Sequence, residues 1–296
     1  MSVARLPSAA RERSLLRDYL SLTKPRIVAL LVLTAVGATF PAAHGWPHPQ
    51  ALLAVLVGGA LSAGGASAIN CWFDRDIDRR MARTRHRPIP SGRIAPANAL
   101  AFGIGLNLVA AAVLSVWANA LSALLAMAGT LVYVFVYTVW LKRSTPQNIV
   151  IGGAAGAIPP LVGWAAVTGR LDLTALSLFL VIFFWTPPHF WALAQLIRDD
   201  YSEAGVPMLP VVAGNRSAKL QALAYTLLLV AVSLVPFFTG AAGRVYLVGA
   251  LVLGTGFVAI GLADLRDSRW TRRVFAYSML YLAVLFVLLA AGAFTA

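Results

Sequence analysis

An amide and two carboxylates recur at four-residue intervals in this sequence, as Asn70, Asp74 and Asp78. If one helix continues through them, all three side chains lie on the same face, which we call the acidic stripe. Mg²⁺ prefers such oxygen ligands and usually combines one or two carboxylates with waters and substrate phosphates. The spacing therefore predicts a site for a metal-bound diphosphate. The alternative is a solvated helix end with Asp–Arg pairs, to which we assign Asp76.

An arginine-rich loop follows the acidic stripe directly. Pro88 and Pro90 stop any helix from continuing here. Guanidinium groups suit bidentate recognition of phosphates and carboxylates. We single out Arg83 and Arg87, because from a loop they could reach back to the stripe. The alternative is the ordinary positive charge of a loop next to a membrane.

A second acidic cluster, Asp199, Asp200 and Glu203, follows the sixth predicted span. Asp199 and Glu203 are four residues apart, with Asp200 beside them, and a proline-containing loop comes next. This arrangement echoes the acidic stripe and suggests two related halves around one cavity. Two facing acidic surfaces could hold metal ions and a diphosphate between them. A solvated helix end is again the alternative.

The fifth and sixth spans contain proline pairs, at 159–160 and 187–188, so we expect both spans to be interrupted. His189 lies within the sixth span, and an ionisable group inside a membrane is a functional candidate. It is either a neutral hydrogen-bonded histidine or, since imidazole suits iron, an axial contact to a haem. Several aromatic rings could stabilise a cation through their faces, among them Tyr133, Tyr137, Trp164, Phe184 and Trp185.

The elements that must position these residues are membrane helices. Hydrophobic residues make up 59% of the 296 residues and charged residues only 12%, whereas soluble domains are about a quarter charged. The pattern predicts an all-α, polytopic integral membrane bundle of about nine transmembrane helices around a central cavity. The predicted spans are 27–43, 51–70, 99–117, 118–140, 149–167, 173–196, 220–239, 245–263 and 274–294.

Charge sets the expected orientation. In this nine-span arrangement 22 of the 24 Lys and Arg residues lie on one side, the exceptions being Arg170 and Arg244. The positive-inside rule places that side, with the N-terminus, in the cytoplasm. Of the 11 acidic residues, 10 also lie there, although acidic residues contribute little to orientation. The active site is therefore expected to face the cytoplasm.

The basic residues flank spans and form no domain of their own, so we expect no nucleic-acid binding. Residues 1–26 form a basic cytoplasmic tail without the apolar stretch of a cleavable secretory signal. Residues 27–296 are expected to form a single transmembrane domain. The bacterial inner membrane is the expected location, with a mitochondrial origin as the alternative.

The stripe on the second of nine spans, with an acidic cluster after the sixth, resembles the UbiA superfamily of intramembrane aromatic prenyltransferases. Six ordered segments narrow this resemblance to the protohaem IX farnesyltransferase, or haem O synthase, family. They are 22–26 (Leu-Thr-Lys-Pro-Arg), 83–88, 137–149, 152–160, 186–190 (Thr-Pro-Pro-His-Phe) and 205–210 (Gly-Val-Pro-Met-Leu-Pro). The resemblance covers roughly residues 19–219, and the last three spans carry only a hydrophobic pattern.

This resemblance implies Mg²⁺-dependent transfer of a farnesyl group from farnesyl diphosphate to a vinyl group of haem B. Water adds to give haem O, a step towards haem A and the cytochrome oxidase cofactor, and diphosphate is released. A haem A synthase becomes a candidate partner. The alternatives are a related prenyltransferase acting on a quinone precursor or a chlorophyll-type porphyrin, and a secondary transporter with broken spans.

Residue roles also follow from the resemblance. Asn70, Asp74 and Asp78 would hold the Mg²⁺–diphosphate. The superfamily's second motif is often Asp-x-x-x-Asp, and here it is either Asp199-x-x-x-Glu203 or a shifted frame in which Asp200 is the metal ligand; we favour Asp200. The remaining candidates for substrate binding, including diphosphate or haem propionates, are Lys24, Arg83, Arg87, Lys142, Arg143, Tyr137 and His189.

Overall fold

The computed structural model describes residues 8–295, with side chains from Leu15 onward. Residues 1–7 of the predicted tail, and Ala296, lie outside the described part. Within that part the chain is helical and contains no strand. The helices are α1 (Ser8–Leu22), α2 (Pro25–Ala42), α3 (Pro49–Phe73), α4 (Arg75–Arg80), α5 (Pro96–Trp117), α6 (Ala120–Leu131), a π-helix (Val132–Leu141), α7 (Lys142–Ser144), α8 (Asn148–Thr168), α9 (Leu173–Leu196), α10 (Arg198–Glu203), α11 (Leu209–Val212), α12 (Gly214–Ser233), α13 (Val235–Phe238), α14 (Arg244–Arg266), a 3₁₀ turn (Ser268–Trp270) and α15 (Thr271–Gly292).

Between residues 8 and 295, nine helical stretches are long and apolar enough to cross a membrane, which confirms the nine predicted spans. The fourth stretch combines α6, the π-helix and α7, and the seventh combines α12 and α13. The observed seventh and ninth stretches begin at Gly214 and Ser268, earlier than predicted. Hydropathy marks only the apolar part of a span, whereas helical hydrogen bonding continues through the polar residues beside it.

The expected interruption of the fifth and sixth spans is wrong. α8 continues through Pro159 and Pro160, and α9 continues through Pro187 and Pro188. Neighbouring helices can cover the backbone groups that a proline leaves free, so membrane helices tolerate proline. The irregular segment lies instead in the fourth span, where Val132–Leu141 forms a π-helix of 10 residues. π-Helices usually last a single turn and often occur at functional sites.

Two buried clusters organise the bundle. The larger lies between α8, α9, α12, α14 and α15 and includes the rings of Trp164, Trp185 and Phe257. The second joins Ile77 of α4 to Tyr201 of α10 and to residues of α9 and α11. The segments that carry the acidic stripe and the second acidic cluster therefore share one buried core at the same end of the bundle.

Helix α1 occupies most of the predicted tail. Its last residue, Leu22, is buried against Ala68 and Cys71 of α3. Arg93 Nε donates a hydrogen bond to Asp18 Oδ2 at 2.9 Å, which ties α1 to the loop after α4. These contacts hold the junction between α1 and α2, where Lys24 lies, close to the end of α3.

Candidate active site

The acidic stripe faces the protein interior across a break between two helices. α3 ends at Phe73 and α4 begins at Arg75, so the predicted single helix is divided at Asp74. The backbone N–H of Asp74 still donates to Asn70 O at 2.9 Å, and that of Asp78 donates to Asp74 O at 2.8 Å. Because this i to i+4 pattern continues, all three side chains remain on one face, and each residue is at most 3% exposed.

Asn70 connects three elements. Its Nδ2 donates to Asp74 Oδ2 at 2.8 Å and to Thr138 Oγ1 of the π-helix at 3.1 Å. Its Oδ1 accepts a hydrogen bond from Lys24 Nζ at 2.7 Å. Lys24 has a left-handed backbone with φ 53°, which is uncommon for a residue with a Cβ. The fold thus holds a strained turn between α1 and α2, and Lys24 projects from it to the stripe.

Asp74 is the most enclosed carboxylate of the site. Its Oδ2 accepts a hydrogen bond from Lys142 Nζ at 2.5 Å, and Arg143 Nη2 lies 3.8 Å from Oδ1. Oδ1 is nevertheless buried without a hydrogen-bond partner among the described residues. Buried polar atoms are normally paired, so this carboxylate oxygen is an unused acceptor that a further ligand could occupy.

Asp78 is held by the loop that follows α4. Arg87 Nη1 lies 3.0 Å from Asp78 Oδ1 and 2.8 Å from Oδ2. Thr84 Oγ1 donates to the backbone carbonyl of Asp78 at 3.0 Å, which closes the loop onto the helix. Arg87 therefore reaches back to the stripe, while Arg83 is exposed.

Asp76 lies on the other side of α4 and is exposed, in line with its assignment to an Asp–Arg pair. The Arg143 guanidinium donates two hydrogen bonds of 2.8 Å to its carboxylate. These bonds lower the pKa of Asp76 to about 2. Arg143 also covers the ring of Phe73, with its guanidinium carbon 4.8 Å from the ring centre. The pair fixes Arg143 at the rim of the site.

The π-helix brings side chains of the fourth span to the stripe. The backbone N–H of Lys142 bonds to Tyr137 O, five residues earlier, and Thr138 Oγ1 donates to Tyr133 O at 2.8 Å. The rings of Tyr133 and Tyr137 stack with their centres 5.6 Å apart. A Cβ on Gly152 would lie 2.9 Å from Tyr137 Cγ, so only glycine allows α8 to approach this closely. Tyr137 thus sits in the immediate surroundings of Lys142.

The second acidic cluster follows the sixth span, as predicted, and lies on a helix of its own. α9 ends at Leu196, Ile197 adopts φ −125° and ψ 38°, and the cluster lies on the separate short helix α10. Asp199 and Glu203 are exposed and Asp200 is half-buried. Residues 195–200 line an open cleft of about 410 Å³.

Among residues 15–295, no three His, Cys, Asp or Glu side chains are grouped closely enough to hold a metal ion. The structure therefore does not combine the second cluster and the acidic stripe into one set of protein ligands. Any metal held between them would need ligands from a substrate.

Tyr201 connects the two acidic segments and was not singled out from the sequence. It is buried in the same cluster as Ile77. Burial raises the pKa of its phenol; Arg83 and Arg87 oppose this shift, and the charges of Asp74 and Asp200 add to it. Tyr201 is thus within electrostatic reach of both segments. The only sequence signal was an aromatic residue placed between acidic ones.

His189 lies against α15, in an unbroken part of α9. Its Nδ1 is 2.7 Å from Ser278 Oγ, and its ring stacks on Trp185 with centres 4.3 Å apart. Ser278 was not identified from the sequence, because the last span showed only a hydrophobic pattern. A serine within that apolar stretch was the one available signal.

Comparison with known proteins identifies the family of this chain. Residues 30–283 match the UbiA prenyltransferase family. A protein of Symbiobacterium thermophilum named protoheme IX farnesyltransferase is 53% identical over 94% of this chain and 96% of its own length. A protein of the same name from Gloeobacter violaceus is 52% identical over 95% of this chain and 93% of its own length. Some relatives are longer: the chain spans 52% of the Roseiflexus sp. protein of that name, with 51% identity.

Solved structures share the fold. The structure of a digeranylgeranylglyceryl phosphate synthase aligns with a TM-score of 0.78 at 20% identity, over 96% of this chain and 100% of that one. The structure of a UbiA homologue from Archaeoglobus fulgidus bound to DMAPP and Mg²⁺ gives a TM-score of 0.67 at 19% identity, over 92% of this chain and 99% of that one. With nine apolar helices between residues 8 and 295 and a match to the family over most of its length, this chain belongs to the UbiA prenyltransferase family.

Proposed function

We propose that this prenyltransferase transfers a farnesyl group from farnesyl diphosphate to a vinyl group of haem B, and that water adds to the other vinyl carbon, giving haem O and diphosphate. The observation that carries the donor half is the buried acidic stripe, in which Asn70, Asp74 and Asp78 each contact a Lys or Arg side chain. The acceptor half is supported by relatives of about 50% identity named protoheme IX farnesyltransferase.

The charge of the site fits a diphosphate that arrives with a metal ion. Three cations face two carboxylates here, so the protein alone has an excess of one positive charge: Lys24, Arg87 and Lys142 against Asp74 and Asp78. Arg143 is paired with the exposed Asp76 at the rim. A diphosphate carries several negative charges. Divalent cations would supply the missing positive charge, and Mg²⁺ is the ion suited to carboxylate, amide and phosphate oxygens.

The donor set supports this proposal. Asp74 Oδ1 is buried and unpaired, and Asp78 and Asn70 present further oxygens on the same face. Asn70, Asp74 and Asp78 would hold Mg²⁺ together with diphosphate oxygens, and Asp200, the half-buried member of the second cluster, would contribute from α10. When bound, Mg²⁺ stabilises the charge that develops on the leaving diphosphate. The solved homologue with DMAPP and Mg²⁺ shares the fold only, and the Mg²⁺ requirement of this chain is part of the proposal.

The cations of the site have two roles in this mechanism. Without substrate, Lys24 donates a hydrogen bond to the amide oxygen of Asn70. Lys142 neutralises the carboxylate of Asp74, and Arg87 neutralises that of Asp78. With substrate, the same amino and guanidinium groups would turn to the diphosphate oxygens and release the stripe for the metal. Charge-assisted bonds of this kind are strong and suit phosphate groups.

The aromatic pair completes the proposed site. Loss of diphosphate leaves an allylic cation, and the stacked rings of Tyr133 and Tyr137 belong to the π-helix that ends just before Lys142. Ring faces attract cations, which would keep the intermediate in place until the vinyl carbon attacks it. Exclusion of bulk water by the surrounding bundle would prevent early capture of this cation.

The arrangement in the membrane is also a proposal. The basic segment 1–26 and the acidic end of the bundle face the cytoplasm, and residues 27–296 form the prenyltransferase domain. The location is the bacterial inner membrane. A haem A synthase would take the product.

The orientation is tested with fusions to the C-terminus, which nine spans place outside the cytoplasm when the N-terminus is inside. An alkaline phosphatase fusion that is active in bacteria supports this orientation, because the phosphatase works only outside the cytoplasm. An inactive phosphatase fusion together with a fluorescent GFP fusion contradicts it.

The function is tested with purified protein, haem B, farnesyl diphosphate and Mg²⁺, with products separated by chromatography and identified by mass. We expect a farnesylated, hydrated haem, and we expect Asp74→Asn and Asp78→Asn each to lower kcat/KM by roughly 100-fold or more. Asp76→Asn is the matched control and should stay within a few-fold of wild type. Unaltered haem, with prenylation of a hydroxybenzoate or a chlorophyll-type porphyrin instead, contradicts the acceptor assignment.

A further inference from the structure

The imidazole of His189 is held by groups that the donor site does not use. Its Nδ1 lies 2.7 Å from Ser278 Oγ, across the contact between α9 and α15. Trp185, one turn earlier on α9, donates from Nε1 to the carbonyl of the same Ser278 at 2.7 Å. A fully buried serine on the last helix thus fixes two neighbouring aromatic side chains of the sixth span.

The hydrogen bonds define which nitrogen of His189 carries the proton. Ser278 Oγ donates its only proton to the backbone carbonyl of Phe275 at 2.7 Å. Towards His189 the hydroxyl can therefore only accept, so Nδ1 is protonated and Nε2 keeps its lone pair. In histidines that bind metals, the hydrogen bond at one ring nitrogen likewise determines that the other nitrogen is unprotonated and can bind the metal.

Two aromatic rings stack on the imidazole of His189. Trp185 covers one face, with ring centres 4.3 Å apart, and Phe275 stacks on the ring at 4.9 Å. Nε2 has no hydrogen-bond partner among the described residues, yet it is not enclosed by protein. The lone pair of Nε2 is therefore open to a ligand. A donor atom with fixed tautomer, fixed ring plane and free edge is what a metal-binding site requires.

We propose that His189 Nε2 is an axial ligand for the iron of haem and that Ser278 is the positioning residue that keeps this nitrogen free. Imidazole is a suitable ligand for iron. His189 lies two helical turns before the end of α9, roughly 10 Å along the axis, and the second acidic cluster begins just beyond that end. His189 and the second acidic cluster therefore lie on consecutive segments of the chain, at the same end of the sixth span. The inference rests on the proposed function only in taking haem as the substrate.

The test uses full-length protein in nanodiscs with one equivalent of haem B, followed by absorption and electron paramagnetic resonance spectra of the ferric form. We expect an imidazole-ligated iron in the wild type. The signature should disappear in His189→Ala and return on addition of free imidazole. Ser278→Ala should bind haem about 10-fold more weakly or worse, as loss of a group that orients a metal ligand typically does.

Ser233→Ala is the matched control for Ser278→Ala. Ser233 is also fully buried, donates from Oγ to a carbonyl three residues earlier at 2.7 Å, and accepts at its own carbonyl from Tyr246 Oη at 2.7 Å. It differs in having no histidine partner among the described contacts. We expect wild-type spectra and haem affinity for Ser233→Ala.

Three results overturn the inference: a wild-type spectrum without imidazole ligation, an unchanged axial signature in His189→Ala, or equal losses in Ser278→Ala and Ser233→Ala. If His189→Ala does not fold, the spectrum of His189→Gln, which should lack imidazole ligation, replaces it. The comparison of haem affinity between Ser278→Ala and Ser233→Ala remains as the second test. Product analysis separates this inference from the proposed function. A wild type that farnesylates haem without imidazole ligation contradicts only the ligand assignment, and one that ligates haem without farnesylating it contradicts only the function.

Discussion

Lys142 Nζ lies 2.5 Å from Asp74 Oδ2, so a cation from the fourth span occupies the carboxylate that the proposed metal would need. The Asp74 side chain is only 2% exposed and that of Lys142 is 14% exposed. Lys142 therefore competes with the metal for Asp74, in addition to its structural role. Metal ions alone should bind weakly to the wild type, and diphosphate should promote metal binding by drawing Lys142 away.

Lys142→Gln should lower the melting temperature of the metal-free protein and make it respond to Mg²⁺. Removing one partner of a buried ion pair costs about 3–5 kcal/mol, because the other charge is left uncompensated. Mg²⁺ can then compensate Asp74, so millimolar Mg²⁺ without diphosphate should restore much of the lost stability. Thermal unfolding in detergent, with and without Mg²⁺, measures both effects.

Lys219→Gln is the control for this experiment. Lys219 forms a comparably buried pair with Asp264, at 3.0 Å, outside the proposed site. Its loss should also lower the melting temperature, but Mg²⁺ should not restore it. An equal Mg²⁺ response in both variants would contradict the assignment of Asp74 as a metal ligand.

Asp200→Asn should reduce activity far more than changes at the other two members of the second acidic cluster. Asp200 is half-buried and is close enough to Tyr201 to affect its pKa, whereas Asp199 and Glu203 are exposed. We expect roughly a 100-fold loss of kcat/KM for Asp200→Asn, the scale for removing one charge-stabilising group. Asp199→Asn and Glu203→Gln should stay within a few-fold of wild type. A larger loss of activity in Glu203→Gln than in Asp200→Asn would favour Asp199 and Glu203, in place of Asp200, as the functional residues of this cluster.

Gly152→Ala should disturb the site through packing alone. The added Cβ would lie 2.9 Å from Tyr137 Cγ, so α8 and the π-helix would have to move apart. Overpacking of this kind typically costs about 1–3 kcal/mol, and we expect activity to fall together with the melting temperature. Gly156→Ala is the matched change on the same helix, where a Cβ would meet nothing within 4 Å. It should be neutral or slightly stabilising, and equal effects of the two would refute the packing argument.

The Asp76–Arg143 pair predicts a pH-dependent difference in stability. The folded-state pKa of Asp76 is lowered to about 2 by the hydrogen bonds from Arg143. A carboxylate with a lowered pKa stabilises the fold above its unfolded pKa of about 3.9, and this contribution disappears as pH falls towards 2. Asp76→Asn should therefore be less stable than wild type at pH 7, by no more than about 1 kcal/mol because the pair is exposed.

Melting curves of Asp76→Asn and wild type between pH 7 and pH 3 check this dependence, and the two should converge in the acid range. Asp267→Asn provides the comparison, since Asp267 is exposed and its ion pair with Arg269 Nε is long, at 4.0 Å. Asp267 Oδ1 also accepts a hydrogen bond from the backbone N–H of Arg269 at 2.9 Å, which an Asn side-chain oxygen can retain. This variant should not differ from wild type at any pH in the series. A constant difference for Asp76→Asn down to pH 3 would contradict the assigned cause.

The nine spans and the acidic stripe were predictable because each depends on local pattern. Length and hydropathy define a span, and four-residue spacing places Asn70, Asp74 and Asp78 on one face even across the break at Asp74. Arg87 was also predictable, because the prolines that follow α4 leave a short loop beside the stripe. None of these features required knowledge of how distant helices pack.

The features that were missed depend on tertiary contacts. Ser278 matters only because α15 lies against His189, and Tyr201 matters only because α10 folds back onto α4. The break at Ile197 separates the second acidic cluster from α9, although the local sequence resembles a helix end. Proline pairs suggested broken spans, yet neighbouring helices compensate for the missing hydrogen bonds.

The π-helix makes the active site sensitive to the number of residues in the fourth span. Its five-residue hydrogen bonds place one extra residue in each turn, and Lys142 follows directly after it. In an α-helix each residue turns the chain by about 100°, so the loss of one apolar residue from 132–141 would rotate Lys142 away from Asp74 without removing any polar group. The number of residues in a largely hydrophobic segment therefore helps to define the chemistry at its end.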